Sequence, residues 1–280
     1  MLALLKRNFL LYFRNRSGVF FSLLGALISF ILYIIFLQKN LTDAWAQLPN
    51  SGPVLNNWLM SGTLAVTGIT TSLAALTQLV KDREHQVDQD LYLSDQGKWR
   101  LPFSYLTSAI IISFFMQALM YVLMCGYFRE VPTLSLLPEV LLIMLFSSLL
   151  SSLVNAIFVY FFHSVDSLGK FSTIVGTASG FLVGTYVPLG VLPDFAQLLM
   201  KCTPATYIAA LYRQVLMKEA VSEAFKGRDD LLREFQEKMG VQLKWQALLT
   251  KEQTYLIVLG GILLALGIWV SLAKRSNKRK

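Results

Sequence analysis

Residues 171–187, FSTIVGTASGFLVGTYV, run directly into residues 188–218, PLGVLPDFAQLLMKCTPATYIAALYRQVLMK, and these two pieces decide how the chain is read. The first is uncharged and apolar. Gly176, Gly180 and Gly184 recur every four residues, a spacing that stacks side chains along one face of a helix. The second is broken by Pro188, Gly190 and Pro193, then continues as two short amphipathic pieces that do not amount to a complete crossing. A glycine-striped span followed by a broken, half-inserted segment suggests a passage through a membrane.

The composition agrees. Hydrophobic residues make up 55% of the 280 and charged residues only 15%, with a mean hydropathy of +0.54. A soluble domain carries about 25% charged residues, so an integral membrane protein is expected. The net charge of +8 is placed by membrane topology, as shown below, and does not argue for nucleic acid. Cys125 and Cys202 make no disulfide or zinc framework, and two histidines, His85 and His163, are too few for a histidine-built metal centre. No catalytic residue and no metal ligand is expected. The N-terminal apolar run is interrupted by Lys6, Arg7, Arg14 and Arg16, which is unlike a cleaved signal peptide.

Outward from the opening stretch, the rest divides into spans and connections. Residues 1–16 are read either as a basic interfacial helix or as the flank of the first span. Spans are expected at 17–38, 57–80, 103–128, 139–162, 171–187 and 253–273, since about 20 apolar residues cross a ~30 Å core. The second is unusually rich in small and hydroxyl residues, Thr67, Thr70 and Thr71 among them. These serve either close helix packing or the lining of a pathway. Residues 81–102 mix both charge signs, with Val87 and Leu91 on a small apolar face, and read either as a solvated loop or as a docking surface. Residues 188–252 hold the broken segment and an amphipathic surface helix in which Leu231, Leu232, Phe235 and Met239 recur at helical spacing. Thr250 and Gln253 form a capping box ahead of the last span.

Orientation follows from Lys and Arg in the short connections. With both ends cytoplasmic, the inner side collects the N-terminal cations, Lys81, Arg83, Lys98, Arg100, Lys170 and the terminal run KRSNKRK, whereas the short outer loops hold Lys39 and Arg129. The fold expected is therefore all-α and integral to the plasma membrane, with six transmembrane helices, both termini cytoplasmic, and the broken segment outside.

Several kinds of chemistry are missing. There is no GxxxxGK[ST], HExxH or GxSxG. The spans hold almost no ionisable residues, whereas ion-coupled carriers place carboxylates or histidines there. A pathway of this kind needs energy from elsewhere, and the mixed-charge segment 81–102 is the place to receive it.

Taken together, the pattern resembles the membrane-spanning permease subunit of type-2, exporter-type ABC transporters. The resemblance covers nearly the whole chain: the basic N-terminus, the six spans, the inner loop opening with Lys81-Asp82-Arg83-Glu84, and the run GTYVPLGVLPDFAQLLMKCTPATYIAALYRQVL. That run is similar to the family's fifth span, re-entrant hairpin and Asn/Thr-Pro step, with Pro188, Pro193, Thr203, Pro204 and Arg213 at the outer gate; Thr203 stands where the family commonly has Asn. The resemblance implies a pairing with a second copy or a related permease, and separate nucleotide-binding ATPase subunits that carry ATP and Mg. It implies an ATPase-coupling loop at Lys81, Asp82, Arg83, Glu84, Val87 and Leu91, and a re-entrant segment. Spans two and five would line the pathway, on a face that includes Thr67, Thr70, Thr71, Gly176, Thr177, Gly180 and Gly184. Whether that glycine face is pathway, dimer contact or internal packing is left open by the residues. Drugs, antibiotics, peptides and lipid-like molecules are the family's cargo. An ATP-independent secondary transporter and a non-transporting sensor or immunity protein are the rival readings.

Overall fold

The computed structural model describes residues 1–45, 51–93, 97–129 and 134–279; the side chains of 92, 93, 97, 98 and 276–279 are outside the described set. Pro49, Asp95, Pro132, the side chains of Leu93 and Lys98 and the terminal basic side chains lie outside the described residues. Within them the chain is helical, with one isolated bridge between Lys244 and Leu248 and no strand.

The N-terminus forms a separate helix, α1 (Leu2–Arg14). Asn15 leaves helical geometry and its side chain accepts from the Gly18 N–H at 3.1 Å, which caps the next helix, α2 (Arg16–Leu32). Helical structure then continues through a wider turn at Tyr33–Leu37 into α3 (Gln38–Ala44). The sequence reading placed a loop from residue 39. Residues 39–44 contain no glycine or proline to stop the helix.

α4 (Ser51–Glu84) has 34 residues, about 51 Å at helical rise. It begins before and ends after the expected span, so Lys81 to Glu84 are its last turn and belong to no loop. A reversal at Gln86, with φ of 59°, leads into α5 (Val87–Leu93). α6 (Gly97–Phe128) starts six residues before the expected span and carries Pro102 near its beginning. α7 (Leu137–Val159) follows, with a proline in its first turn, where no N–H is needed.

α8 (Val165–Leu182) differs most from the expected fifth span at 171–187. It starts earlier because Ser164 caps it, accepting from the Ser167 N–H, so residues read as an inner loop form its first turns. It stops at Leu182 because Gly184 adopts φ of +70°. The Gly184 N–H donates to Phe181 O at 2.9 Å and the Thr185 N–H to Gly180 O at 2.8 Å, the bond pair of a Schellman cap. The next segment is irregular through a short turn at Leu189–Val191, then forms α9 (Asp194–Lys201) and α10 (Pro204–Leu216). α11 (Lys218–Ala224) and α12 (Asp229–Lys238) follow, with α12 presenting Phe235 inward against Trp45 and Phe225. α13 (Lys251–Arg279) closes the chain, and the Thr250–Gln253 capping box forms with bonds of 3.0 and 3.3 Å.

Five helices among the described residues are long and apolar enough to cross a membrane: Arg16–Ala44, Ser51–Glu84, Trp99–Phe128, Leu137–Val159 and Lys251–Arg275. α8, with Asp166 and Lys170 in its first turns, is not one of them. α4 is the axis: its most apolar window is 83% buried, against 22% for the last helix. It packs on α2, α6, α7, α8 and α10. Inside this bundle two amide side chains are held by polar neighbours. Gln117 donates to Ser148 at 2.8 Å and accepts from Tyr212 at 2.8 Å, and Asn155 donates to Ile69 O and to Ser72.

Candidate functional site

Three groups of residues are placed at three depths along α4 and α8. The first group is the run Lys81-Asp82-Arg83-Glu84. Successive helical residues point about 100° apart, so four neighbours face four directions. Asp82 is 3% exposed and turns inward. Its carboxylate receives both guanidinium nitrogens of Arg7, at 2.7 and 2.9 Å, the Gln78 amide at 2.7 Å, and the Tyr105 hydroxyl. The hydrogen bond with Asp82 raises the Arg7 pKa further above its usual value. Nearby, burial raises the Tyr12 phenol to about 12, so it remains a neutral partner of Ser22.

Arg83 reaches the other way and donates to the carbonyls of Tyr160 and Phe162 at 3.3 and 3.0 Å, closing the end of α7. The Glu84 carboxylate accepts from the Val165 N–H at 2.9 Å, at the N-terminus of α8, where negative charge is favoured. Lys81 is exposed, and Val87 and Leu91 are half-buried. The four-residue run thus joins α1, α6, α7 and α8. Asp82, expected in a coupling loop, is enclosed within the subunit.

The middle group separates. Thr67 and Thr71 are fully buried, and their hydroxyls donate to Thr63 O and Thr67 O at 2.8 and 2.6 Å. They pack within the bundle. Thr70 sits about 60° around the helix from Thr67 and opens onto a groove between α2, α4 and α8. Gly176 and Thr177 line the same groove. A Cβ on Gly25 would lie 3.1 Å from Gly176 O and 3.4 Å from the Thr70 methyl, so glycine there lets α2 approach both partners. The three expected glycines share no packing face. Gly176 has open space around its Cβ position, Gly180 lies under the Tyr186 ring, and Gly184 is the cap.

The third group, at the opposite end from Lys81–Glu84, converges on Arg213. This side chain is 1% exposed and is met by no carboxylate among the described residues. Nη2 donates to Val183 O and Gly184 O at 3.1 and 2.8 Å, and Nη1 to Gly240 O at 3.1 Å. Gly240, with φ of +64°, ends α12 in the same way that Gly184 ends α8: its N–H bonds Glu237 O and the Val241 N–H bonds Gln236 O. Arg213 therefore fastens two glycine-capped helix ends, where the helix dipoles favour a cation. Its guanidinium lies over Trp58, 5.1 Å from the ring centroid, while the Trp58 indole N–H donates to Met239 O at 2.7 Å. Thr206 takes up Leu182 O at 2.8 Å. Pro188 is buried, Pro193 and Pro204 are exposed before α9 and at the start of α10, and Thr203 donates to Leu199 O.

Sequence reading passed over Arg7, Tyr105, Gln117, Asn155, Tyr212 and the Lys251–Glu139 ion pair at 2.8 Å. A signal existed for two of them: Gln117 and Asn155 are strongly polar residues inside apolar runs, which need partners. No group of three or more His, Cys, Asp or Glu among the described residues is arranged to hold a metal ion.

Comparison with known proteins adds the family. The description "ABC-2 family transporter protein" matches residues 38–269, a range that takes in α4, α8, the Arg213 junction and the Lys81–Glu84 turn. No curated protein matches the chain. With most of its length matched, from before α4 to within α13, this chain belongs to the ABC-2 transporter family, as a membrane transport component.

Proposed function

We propose that the chain is the permease subunit of an ATP-driven exporter. It pairs with a second copy or a related permease, and it is energised by separate subunits that bind ATP and Mg. Six crossings are counted in this reading. α8, about 27 Å of helix, adds the sixth together with the irregular residues up to Val187. The excess of basic residues in the short connections puts both termini in the cytoplasm of a plasma-membrane protein. The stretch from Pro188 to Arg213 then lies at the outer end as a re-entrant gate. Exposed Val191, Phe195, Leu198 and Leu199 give this stretch an apolar face suited to lipid or to the second permease. Cargo of the drug, antibiotic, peptide or lipid-like kind enters along the side of α4 and α8 that carries Thr70, Gly176 and Thr177.

One observation carries the reading. α8 is held at both ends, at Val165 by Glu84 and at Val183 and Gly184 by Arg213. A push on the turn between α4 and α5 is thereby passed to the start of α8, and its far end carries the outer part with it. The exposed face of α5, Gln89 and Asp90, is what a soluble ATPase would meet.

Co-purification tests the partner: the full chain, expressed with candidate ATP-binding subunits, should retain one. The variant Glu84→Arg tests the linkage. It should leave assembly intact while lowering ATP-driven export about ten-fold, the size of an ordinary coupling free energy. Transport by the chain alone under an ion gradient, with no ATP-binding subunit retained, would show a secondary transporter instead.

A further inference from the structure

The groove between α2, α4 and α8 has a chemical polarity. Along its length it is lined by Phe21, Leu24 and Ile28 of α2, Thr70 of α4, and Thr173 and Thr177 of α8. The threonine hydroxyls spend their protons on their own helices: Thr70 donates to Val66 O, Thr173 to Gly169 O and Thr177 to Thr173 O. They present methyl groups and oxygen lone pairs, with no donor for an anion. This stretch suits a hydrocarbon tail.

At its inner end the groove opens into a second cleft that shares Gly18, Ala74 and Thr77 with it and is lined by Arg14 and Lys81. Both cations are exposed, and neither makes an ion pair or side-chain hydrogen bond with the described residues. Glu84 also lines the cleft, one of its oxygens accepting from the Val165 N–H, so the cleft carries two cations against one carboxylate. From Gly18 to Ile28, the stretch of α2 that lines the groove, the helical rise is about 15 Å, half of a ~30 Å hydrocarbon core. Two cations unpaired among the described residues thus stand at the head of an apolar groove about as long as one leaflet is deep.

We infer that this groove binds an amphiphile with an anionic head group, drawn from the inner leaflet as cargo, its head at Arg14 and Lys81 and its tail against α2 and α8. The inference rests on the exporter reading for the word cargo, while the binding site stands on the groove itself.

The test has two arms. In the first, the full chain in phosphatidylcholine nanodiscs is titrated with dioctanoyl phosphatidic acid and with dioctanoylglycerol. The phosphatidic acid should bind about ten-fold more tightly, the worth of two partly exposed charge pairs. The double variant Arg14→Ala, Lys81→Ala should erase that preference, and Thr177→Trp, which fills the groove, should weaken both lipids. Equal affinities in the parent protein, or a preference that survives the double variant, would overturn the site. In the second arm, the chain is placed in liposomes with the ATP-binding subunit it retains, and ATP-dependent transfer of a fluorescent phosphatidic acid between leaflets is followed by dithionite quenching. Transfer that is lost in the double variant supports the cargo assignment. Selective binding without transfer, in a complex that hydrolyses ATP, overturns that assignment and leaves the exporter reading standing. Failure to retain any ATP-binding subunit counts against the exporter reading and the cargo assignment, while the first arm still decides the site.

Discussion

Arg213 concentrates one end of the molecule into one side chain. A buried cation without a carboxylate is costly unless hydrogen bonds replace its water. Here three carbonyl oxygens at two helix ends do so, aided by the face of Trp58. Removing the guanidinium strips those carbonyls at once. Arg213→Met is expected to cost about 3 kcal/mol, since each unsatisfied buried group costs about 1–3 kcal/mol. Arg213→Lys should cost less but still be destabilising, because an ammonium lacks the planar fork that serves two helix ends together. Gly184→Ala should cost about 1 kcal/mol through its positive φ alone. Its Cβ would crowd the flexible end of Met200, at 2.9 Å, and lie in ordinary contact with Val187 O and Arg213 Nη2 at 3.6 and 3.8 Å. Denaturant unfolding in detergent measures all three, and a neutral Arg213→Met would remove the fastening role. The sequence showed an arginine near the end of a helix. It could not show that glycine-capped ends 29 and 27 residues away would meet it.

At the scale of elements, the inner end is organised by the pairing of α1 with α4 and α6. The bidentate Arg7–Asp82 contact, with Tyr105 and Gln78 on the same carboxylate, holds the N-terminal helix against the bundle. Breaking a buried pair from one side leaves an uncompensated charge, typically a loss of 3–5 kcal/mol. Arg7 is partly exposed, with 29% of its side chain accessible, so Arg7→Ala is expected to cost about 2 kcal/mol. Asp82→Asn in that background should cost much less than it does alone. A double-mutant cycle on unfolding reports the coupling, and additive effects would show that α1 is held by its apolar contacts instead. The residues themselves suggested both partners only as members of separate charge clusters. Their meeting, 75 positions apart, required the bundle.

For the whole molecule, the layout is a central α4 wrapped by its neighbours, an inner junction at residues 81–84 and an outer junction at Arg213. The proposed orientation makes a direct prediction. Cys202 is exposed beyond α9, so a membrane-impermeant maleimide should label it in intact cells. In a variant carrying Gln89→Cys with Cys202 and Cys125 replaced by serine, labelling should require permeabilised cells. The reverse pattern would invert the topology.

The sequence by itself determined the class, because a mean hydropathy of +0.54 with long uncharged runs allows only membrane helices. It also determined that a break follows α8, though not its place at Leu182, together with the amphipathic α12 and the family, since prolines, glycines and helical spacing act locally. Tertiary structure decided everything that depends on direction. It turned Thr67 and Thr71 inward and left Thr70 on the groove, dissolved the glycine face by ending α8 at Leu182, and enclosed Asp82 beside Arg7. The physical reason is that a helix pattern states which residues share a face, whereas only packing states what that face meets.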